Sequence, residues 1–318
     1  MFQEHNLEVS KVKLLQDRAY MLKKVRTFFE ERGVLELDCP ILNASCNIDD
    51  FIDPISVNYC ETKQGFLHTS PEIFMKKLLA EGIEDIYFLG HVFRDHEKGS
   101  FHHVEFTMVE WYRLKLDYQG LIDEVVDFVR LFFNASPVTV LTYHKALLDY
   151  TLIDYSTATK EELLSFIEKN LEIEGDLSDE SFSDLLTIIF TEKVEPHFKD
   201  LGLVVLKNYP KEQSALSKLE IVEGLEVAKR FEVYYQGVEL ANGYDELIGG
   251  KELEKRFVFL NEKRAAKGKM KLPIDAHLIE ANSKLPQCTG VAVGFDRLMM
   301  LRHQHKSIHP TMALIKSS

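Results

Sequence analysis

Two parts of this 318-residue chain consist of strand-forming runs that follow each other with no room for a helix between them. In "RFEVYYQGVELANGYDEL" (230–247), strand signals at 230–235 and 238–242 flank Gln236-Gly237, a two-residue hairpin turn. In "DIYFLGHVFRD" (85–95) and "VEFTMVEWYRL" (104–114), two further strands are joined by the polar segment 96–103. Another strand is expected at 203–208, and 290–301 reads as a Gly-bounded strand running into a helix. Strands that succeed one another without regular βαβ alternation favour an antiparallel sheet flanked by helices, an α+β fold.

The helices follow from periodicity. Residues 10–32 place Leu14, Leu15, Met21, Leu22, Val25, Phe28 and Phe29 at helical spacing. "RGVLELDCP" then predicts a strand ending at Pro40, and "PEIFMKKLLAE" (71–81) a helix with Pro71 at its first position. The charge-rich stretch 251–268 predicts a helix with a solvated face. Residues 155–200 are acidic and helix-prone, and are expected to form a helical insertion within a single 1–318 catalytic domain.

Composition excludes several classes. No apolar run approaches the roughly 18–20 residues of a membrane span. The N-terminal "MFQEHNLEVSKVKLL" lacks the apolar stretch of a signal peptide. Cys39, Cys46, Cys60 and Cys288 are scattered, so neither a zinc site nor a disulfide framework is indicated, and a cytoplasmic location is the simplest expectation. A net charge of −13 would repel nucleic acid as a whole, although "KKVR" (23–26) and "KRAAKGKMK" (263–271) are locally basic. Neither G-x-x-x-x-G-K-[ST] nor a strand-linked G-x-G-x-x-G is present.

Three segments carry chemistry. Across the 230–242 hairpin Tyr234 faces Glu239, with Glu232 diagonal to Glu239 on the same face. Diagonal Cβ atoms lie about 7–8 Å apart, so the two carboxylates either converge on a hard cation such as Mg²⁺ or form an acidic solvent face. Asn242 and Glu246 continue this polar series. Alternation puts Phe106, Met108, Glu110 and Tyr112 on one face, a floor for a stacked ring and a held cation, or else part of a solvated turn and strand. Arg94 offers a fork for phosphate oxygens, with His102 and His103 across the loop. Gly290, Ala292 and Gly294 let a ligand approach their strand, and Arg297 follows at a helix start, where a cation is poorly placed for the dipole; a tight packing junction is the alternative. His303, His305 and His309 are spaced loosely like metal ligands, but equally suit a solvated tail. Cys288 is either reactive or a small buried thiol.

Together these segments resemble the catalytic core of class II aminoacyl-tRNA synthetases, specifically the lysyl type. The unit ending at Pro40 is similar to motif 1, the dimer-forming element, "FRDHEKGSFHHVEFTMVEWY" (93–112) to motif 2, and "GVAVGFDRLMML" (290–301) to motif 3. "HTSPEIFMKKLL" and "RFEVYYQGVELANGYDEL" resemble the lysine-site and metal-site segments. The resemblance implies that Arg94 holds the α-phosphate of ATP, that Phe106 and Arg297 cover the two sides of adenine, and that His102 reaches the terminal phosphates. Arg94 and Arg297 are thus the implied catalytic pair. Asp95, His96, His103, Leu240 and Gly294 complete the implied ATP side. Glu232 and Glu239 would carry Mg²⁺. Glu72 and Glu246 would take the two amino groups of a lysine-like substrate, beside Tyr112, Asn242, Ser70, Pro71 and Ala292.

Motif 1 begins within the first forty residues, which leaves no room ahead of it for the anticodon-binding domain of a lysyl-tRNA synthetase. The truncated relatives that fit are the elongation factor P β-lysine ligases, which add (R)-β-lysine to a lysine of that protein. Ala292 agrees, because lysyl-tRNA synthetases usually carry Gly there and the ligases Ala. The expected enzyme is a homodimer that adenylates (R)-β-lysine with ATP and does not act on tRNA. Two positions depart from the family pattern: His96 stands where F-R-x-E places Glu, with Glu97 next, and His103-Val104 replaces Asn-Pro. Three rival readings remain: a hydrolase with a metal on His96, Glu97, His102, His103 and Glu105, a non-catalytic paralogue, and an α-lysyl-adenylate enzyme with another acceptor.

Overall fold

The computed structural model describes residues 10–313; residues 1–9, the polar start that argued against a signal peptide, lie outside them. The strands are β1 (Leu35–Glu36), β2 (Leu42–Asn43), β3 (Ser56–Tyr59), β4 (Lys63–Leu67), β5 (Ile86–Phe93), β6 (Glu105–Arg113), β7 (Val138–Thr142), β8 (Leu203–Pro210), β9 (Leu219–Val222), β10 (Leu225–Tyr235), β11 (Val238–Asp245) and β12 (Thr289–Gly294). The helices are α1 (Lys11–Glu30), α2 (Glu72–Ala80), α3 (Tyr118–Arg130), α4 (Tyr143–Thr151), α5 (Lys160–Asn170), α6 (Phe182–Lys193), α7 (Gly250–Ala266), α8 (Ala276–Asn282) and α9 (Phe295–Arg302). The main sheet runs β1-β5-β6-β12-β11-β10-β8-β7, with β9 beside β10. Only its two outermost pairs, β1–β5 and β7–β8, are parallel.

Alternation gives this sheet two unlike faces. Val109, Trp111, Phe231, Val233, Val291 and Val293 point to one side, into a core closed by α1, α3 and α9. The other side carries Phe106, Met108, Glu110, Tyr112, Glu232 and Ala292 and lines a cavity. Helices α4, α5 and α6 share a second core with Val204, Leu206, Ala228 and Tyr234 of β8 and β10, so residues 155–200 cover one end of the sheet.

Two sequence expectations change. The strand predicted over 32–40 shrinks to Leu35–Glu36, because the chain leaves β5 after the Leu37 amide bonds the Tyr87 carbonyl. Helix α7 has a buried side where a solvated face was expected: Leu253, Phe257, Asn261 and Arg264 are covered. Arg264 donates to the carbonyls of Asp49 and Ile52, and Lys263, Lys267 and Lys269 pair with Asp50 or Asp53. The basic "KRAAKGKMK" patch is therefore largely turned onto the chain's own acidic 49–53 loop.

Hairpin β10–β11 contains a β-bulge. Tyr234 opposes Glu239 as expected, but Val233 opposes Ala241 and Glu232 opposes Asn242, which leaves Leu240 as the extra residue. Leu240 and Ala241 both enter the apolar core. Glu239 and Asn242, three residues apart, consequently face the same cavity. Uninterrupted alternation would have sent one of them into the core.

The junction of β12 and α9 is held by Asp296. This buried carboxylate accepts from the Thr107 amide at 2.7 Å and pairs with Arg18 of α1, which also donates to the Thr107 hydroxyl. Arg18→Met leaves Asp296 buried without its cation, a loss of about 3 kcal/mol or more. Urea denaturation of the two proteins should show that fall in stability.

Candidate active site

The cavity on the polar face is about 570 Å³ and is walled by β6, β12, β11 and β10, with α2, the 47–52 loop and α6 around it. At one end, Arg94 follows β5, its amide bonded to the Val104 carbonyl and its guanidinium carbon 5.1 Å from the centroid of the Phe106 ring. At the same end, Arg297 donates to the Glu239 carbonyl at 2.8 Å and shares a 2.8 Å contact with His102 Nε2. Burial and the Arg297 charge hold the His102 imidazole below its usual range, favouring the neutral ring.

Motif 2's departure from its pattern has a geometric resolution. His96 adopts φ +61, and its side chain is 81% exposed, clear of the cavity. That left-handed step turns the chain so that Glu97 enters the wall, 3.6 Å from Arg94. A glutamate thus reaches the site one residue late. Asp95 also stays outside the cavity, its amide tied to the Asp53 carbonyl at 2.7 Å. His103 remains in the wall, its Nδ1 2.7 Å from the Glu105 carbonyl.

Glu232 and Glu239 meet across the bulged hairpin. Glu232 pairs with Arg230, accepts from Tyr234 and is 3.2 Å from Asn242 Nδ2. Burial and the charge on Glu232 push the Glu239 carboxyl up from its ordinary value. Two neighbouring carboxylates, one buried and one part-exposed, suit a divalent cation, and Mg²⁺ commonly takes only one or two carboxylates beside phosphate oxygens. Among the described residues no group of three or more His, Cys, Asp or Glu is arranged for a metal. The His303–His305–His309 spacing accordingly assembles none: His303 pairs with Asp17, and His309 sits on the Gly99 carbonyl.

The other end is denser in charge. Lys76, one turn along α2 from Glu72, sits 2.5 Å from Glu72 and 2.6 Å from Glu246. Ser70 donates to Glu110 at 2.7 Å and Tyr112 donates to it at 2.9 Å. Burial, and then the Glu72 charge, push the Glu110 carboxyl up to about 8. Ala292 pairs with Glu110 on one side and Asn242 on the other, so its methyl is set in this floor.

One role differs from the sequence reading. A Cβ at Gly290 would lie 2.4 Å from the Tyr112 ring and 2.5 Å from Glu246 Oε1, so the missing side chain makes room for the wall itself rather than for a ligand. Pro71 is buried at the start of α2, away from the lining, while Leu240 packs in the apolar core and also reaches the cavity. Cys288 is fully buried, and burial raises its thiol, which makes it inert. Lys76, through its two partner carboxylates, and Arg230 join the site without having been singled out. Only Lys76 left a trace in the sequence, the i, i+4 spacing from Glu72.

The cavity thus carries two arginines at one end and, at the other, carboxylates that bind an ammonium. The profile of class II tRNA synthetases (D, K and N) matches residues 6–318. The chain belongs to this family. Among its relatives are the elongation factor P–(R)-β-lysine ligases of Salmonella arizonae, 38% identical over 294 residues and 90% of each chain, and of Salmonella typhi, 38% identical over 306 residues and 94% of each.

Two outcomes test this geometry. Gly290→Ala should displace Tyr112 and Glu246 and raise the amino-acid KM by about tenfold or more, leaving the ATP KM within about twofold. Glu110 keeps its proton to about pH 8 when folded, whereas the unfolded group releases it near 4.5. Stability contributed by Glu110 therefore falls as pH rises through that window. Thermal midpoints from pH 5 to 9 should show a decline that Glu110→Gln flattens.

Proposed function

We propose that this chain is an ATP-dependent amino acid–protein ligase. It activates (R)-β-lysine as the adenylate and transfers it to a lysine side chain of elongation factor P. The observation that carries this reading is the acidic end of the cavity, where the lining carboxylates Glu72 and Glu246 already bind an alkylammonium, that of Lys76, in a cavity that Arg94 and Arg297 also line.

The amino acid carboxylate attacks the α-phosphorus of ATP and pyrophosphate leaves. Arg94 and Arg297 flank the reacting phosphate and stabilise the charge that develops there. Phe106 offers a ring face to the adenine. Glu232 and Glu239 would hold Mg²⁺, which when bound neutralises phosphate charge. No protein nucleophile is needed, because positioning in a closed site supplies much of the rate. In the second step the ε-amino group of the acceptor lysine attacks the adenylate carbonyl and AMP departs.

The formal charge of −13 supports a protein acceptor over tRNA, whose phosphates a basic surface would have to neutralise. A homodimer through the α1–β1 region accords with the exposed Val12, Tyr20 and Leu35. Ala292 supports the β-isomer, since its methyl narrows the floor between Glu110 and Asn242.

ATP–pyrophosphate exchange should be strong with (R)-β-lysine and weak with α-lysine, and Arg94→Ala should lower it by about 10²-fold or more. Ala292→Gly should shift the ratio of the two exchange rates about tenfold toward α-lysine. Preference of the native protein for α-lysine would transfer the reading to an α-lysyl-adenylate enzyme. Absence of exchange with both would leave a non-catalytic paralogue.

A further inference from the structure

Lys76 is buried, 2% exposed, and its Nζ is within ion-pair distance of two cavity-lining carboxylates, Glu72 and Glu246, at once. Burial opposes its charge, but the two carboxylates outweigh burial and hold the amine protonated. The tie joins different elements: Glu72 opens α2, and Glu246 follows β11. With both distances fixed to one nitrogen, these carboxylates are held close together, where without a cation they would repel. Each keeps one oxygen off the lysine. The second oxygen of Glu72 accepts from Asn47 at 2.7 Å, and Glu246 Oε1 points at the gap that Gly290 leaves beside Tyr112.

We propose that Lys76 is a positioning and specificity-determining residue for the activation step: a resident ammonium that ties Glu72 to Glu246 and cancels one of their two charges, so that the amino-acid subsite accepts one further substrate ammonium. Without it the same pocket would present two uncompensated carboxylates to any small cation. With it, one net negative charge remains, matched to one amino group of a diamino acid. The Tyr112 hydroxyl gives its proton to Glu110 and keeps lone pairs for that incoming group. Lys76 does not touch the substrate. Its effect passes through the two glutamates.

This inference rests on the amino-acid-activating function proposed above, and the test separates the two. Lys76→Ala removes the ammonium and leaves a space of its shape; Lys76→Arg keeps the charge. In ATP–pyrophosphate exchange, Lys76→Ala should lose about 10²-fold or more in kcat/KM for (R)-β-lysine, chiefly through KM, with the ATP KM unchanged. Millimolar ethylammonium should restore at least about tenfold of that loss, and Lys76→Arg should retain more activity than Lys76→Ala. Ethylammonium should not stimulate the native protein. Ethylammonium should also raise the thermal midpoint of Lys76→Ala and not that of the native protein, a readout that needs no catalysis. Absence of exchange in the native protein defeats the activation reading, while the midpoint shift still decides whether the tie exists. Lys76→Ala kinetics within about threefold of native, a loss in kcat without rescue, or failure of both variants to fold would each overturn the proposal.

Discussion

Like charges buried together are the constraint around which this molecule is organised. Glu72, Glu110, Glu232, Glu239 and Glu246 all line one cavity, and no protein interior accepts so many carboxylates without compensation. Each is compensated differently. Lys76 sits between Glu72 and Glu246, Arg230 pairs with Glu232, and Arg297 lies against Glu239. Among the described residues Glu110 meets no cation within ion-pair distance, and burial pushes its carboxyl up to about 8. The distribution leaves the two ends of the cavity chemically unlike, one suited to phosphate and one to an amine.

The sheet makes this arrangement sustainable. Its reverse face is a continuous apolar core, with Trp111 and Phe128 among its fully buried members, so the backbone beneath the charges is fixed by packing. Local departures from regularity then aim individual groups. The extra residue Leu240 brings Glu239 and Asn242 to one face, the left-handed His96 exchanges an outward histidine for an inward Glu97, and Gly290 yields space to Tyr112 and Glu246.

Much of this was legible in the sequence. The hairpin around Gln236-Gly237 fixed which of Tyr234 and Glu239 oppose each other, because a two-residue turn leaves little choice of register. Period-two alternation placed Phe106, Met108, Glu110 and Tyr112 on a common floor. The buried side of α7 was hidden, since Arg264 reads as a solvated charge until the acidic 49–53 loop folds over it. The short β1 was overestimated for a related reason: strand propensity in 32–40 says nothing about how far a partner strand continues.

The amino-acid order alone determined the kinds of element, the antiparallel pairing of neighbouring strands and the supply of arginines and glutamates at strand ends, because these depend on spacing along the chain. Which charges share a pocket was decided only by tertiary structure. Lys76 and Glu246 are separated by most of the sheet in sequence, yet stand 2.6 Å apart. The protonation of Glu110 likewise follows from burial beside Glu72, a property of the closed cavity. Electrostatic energy depends on distance and on the exclusion of water, and neither is written in a linear sequence.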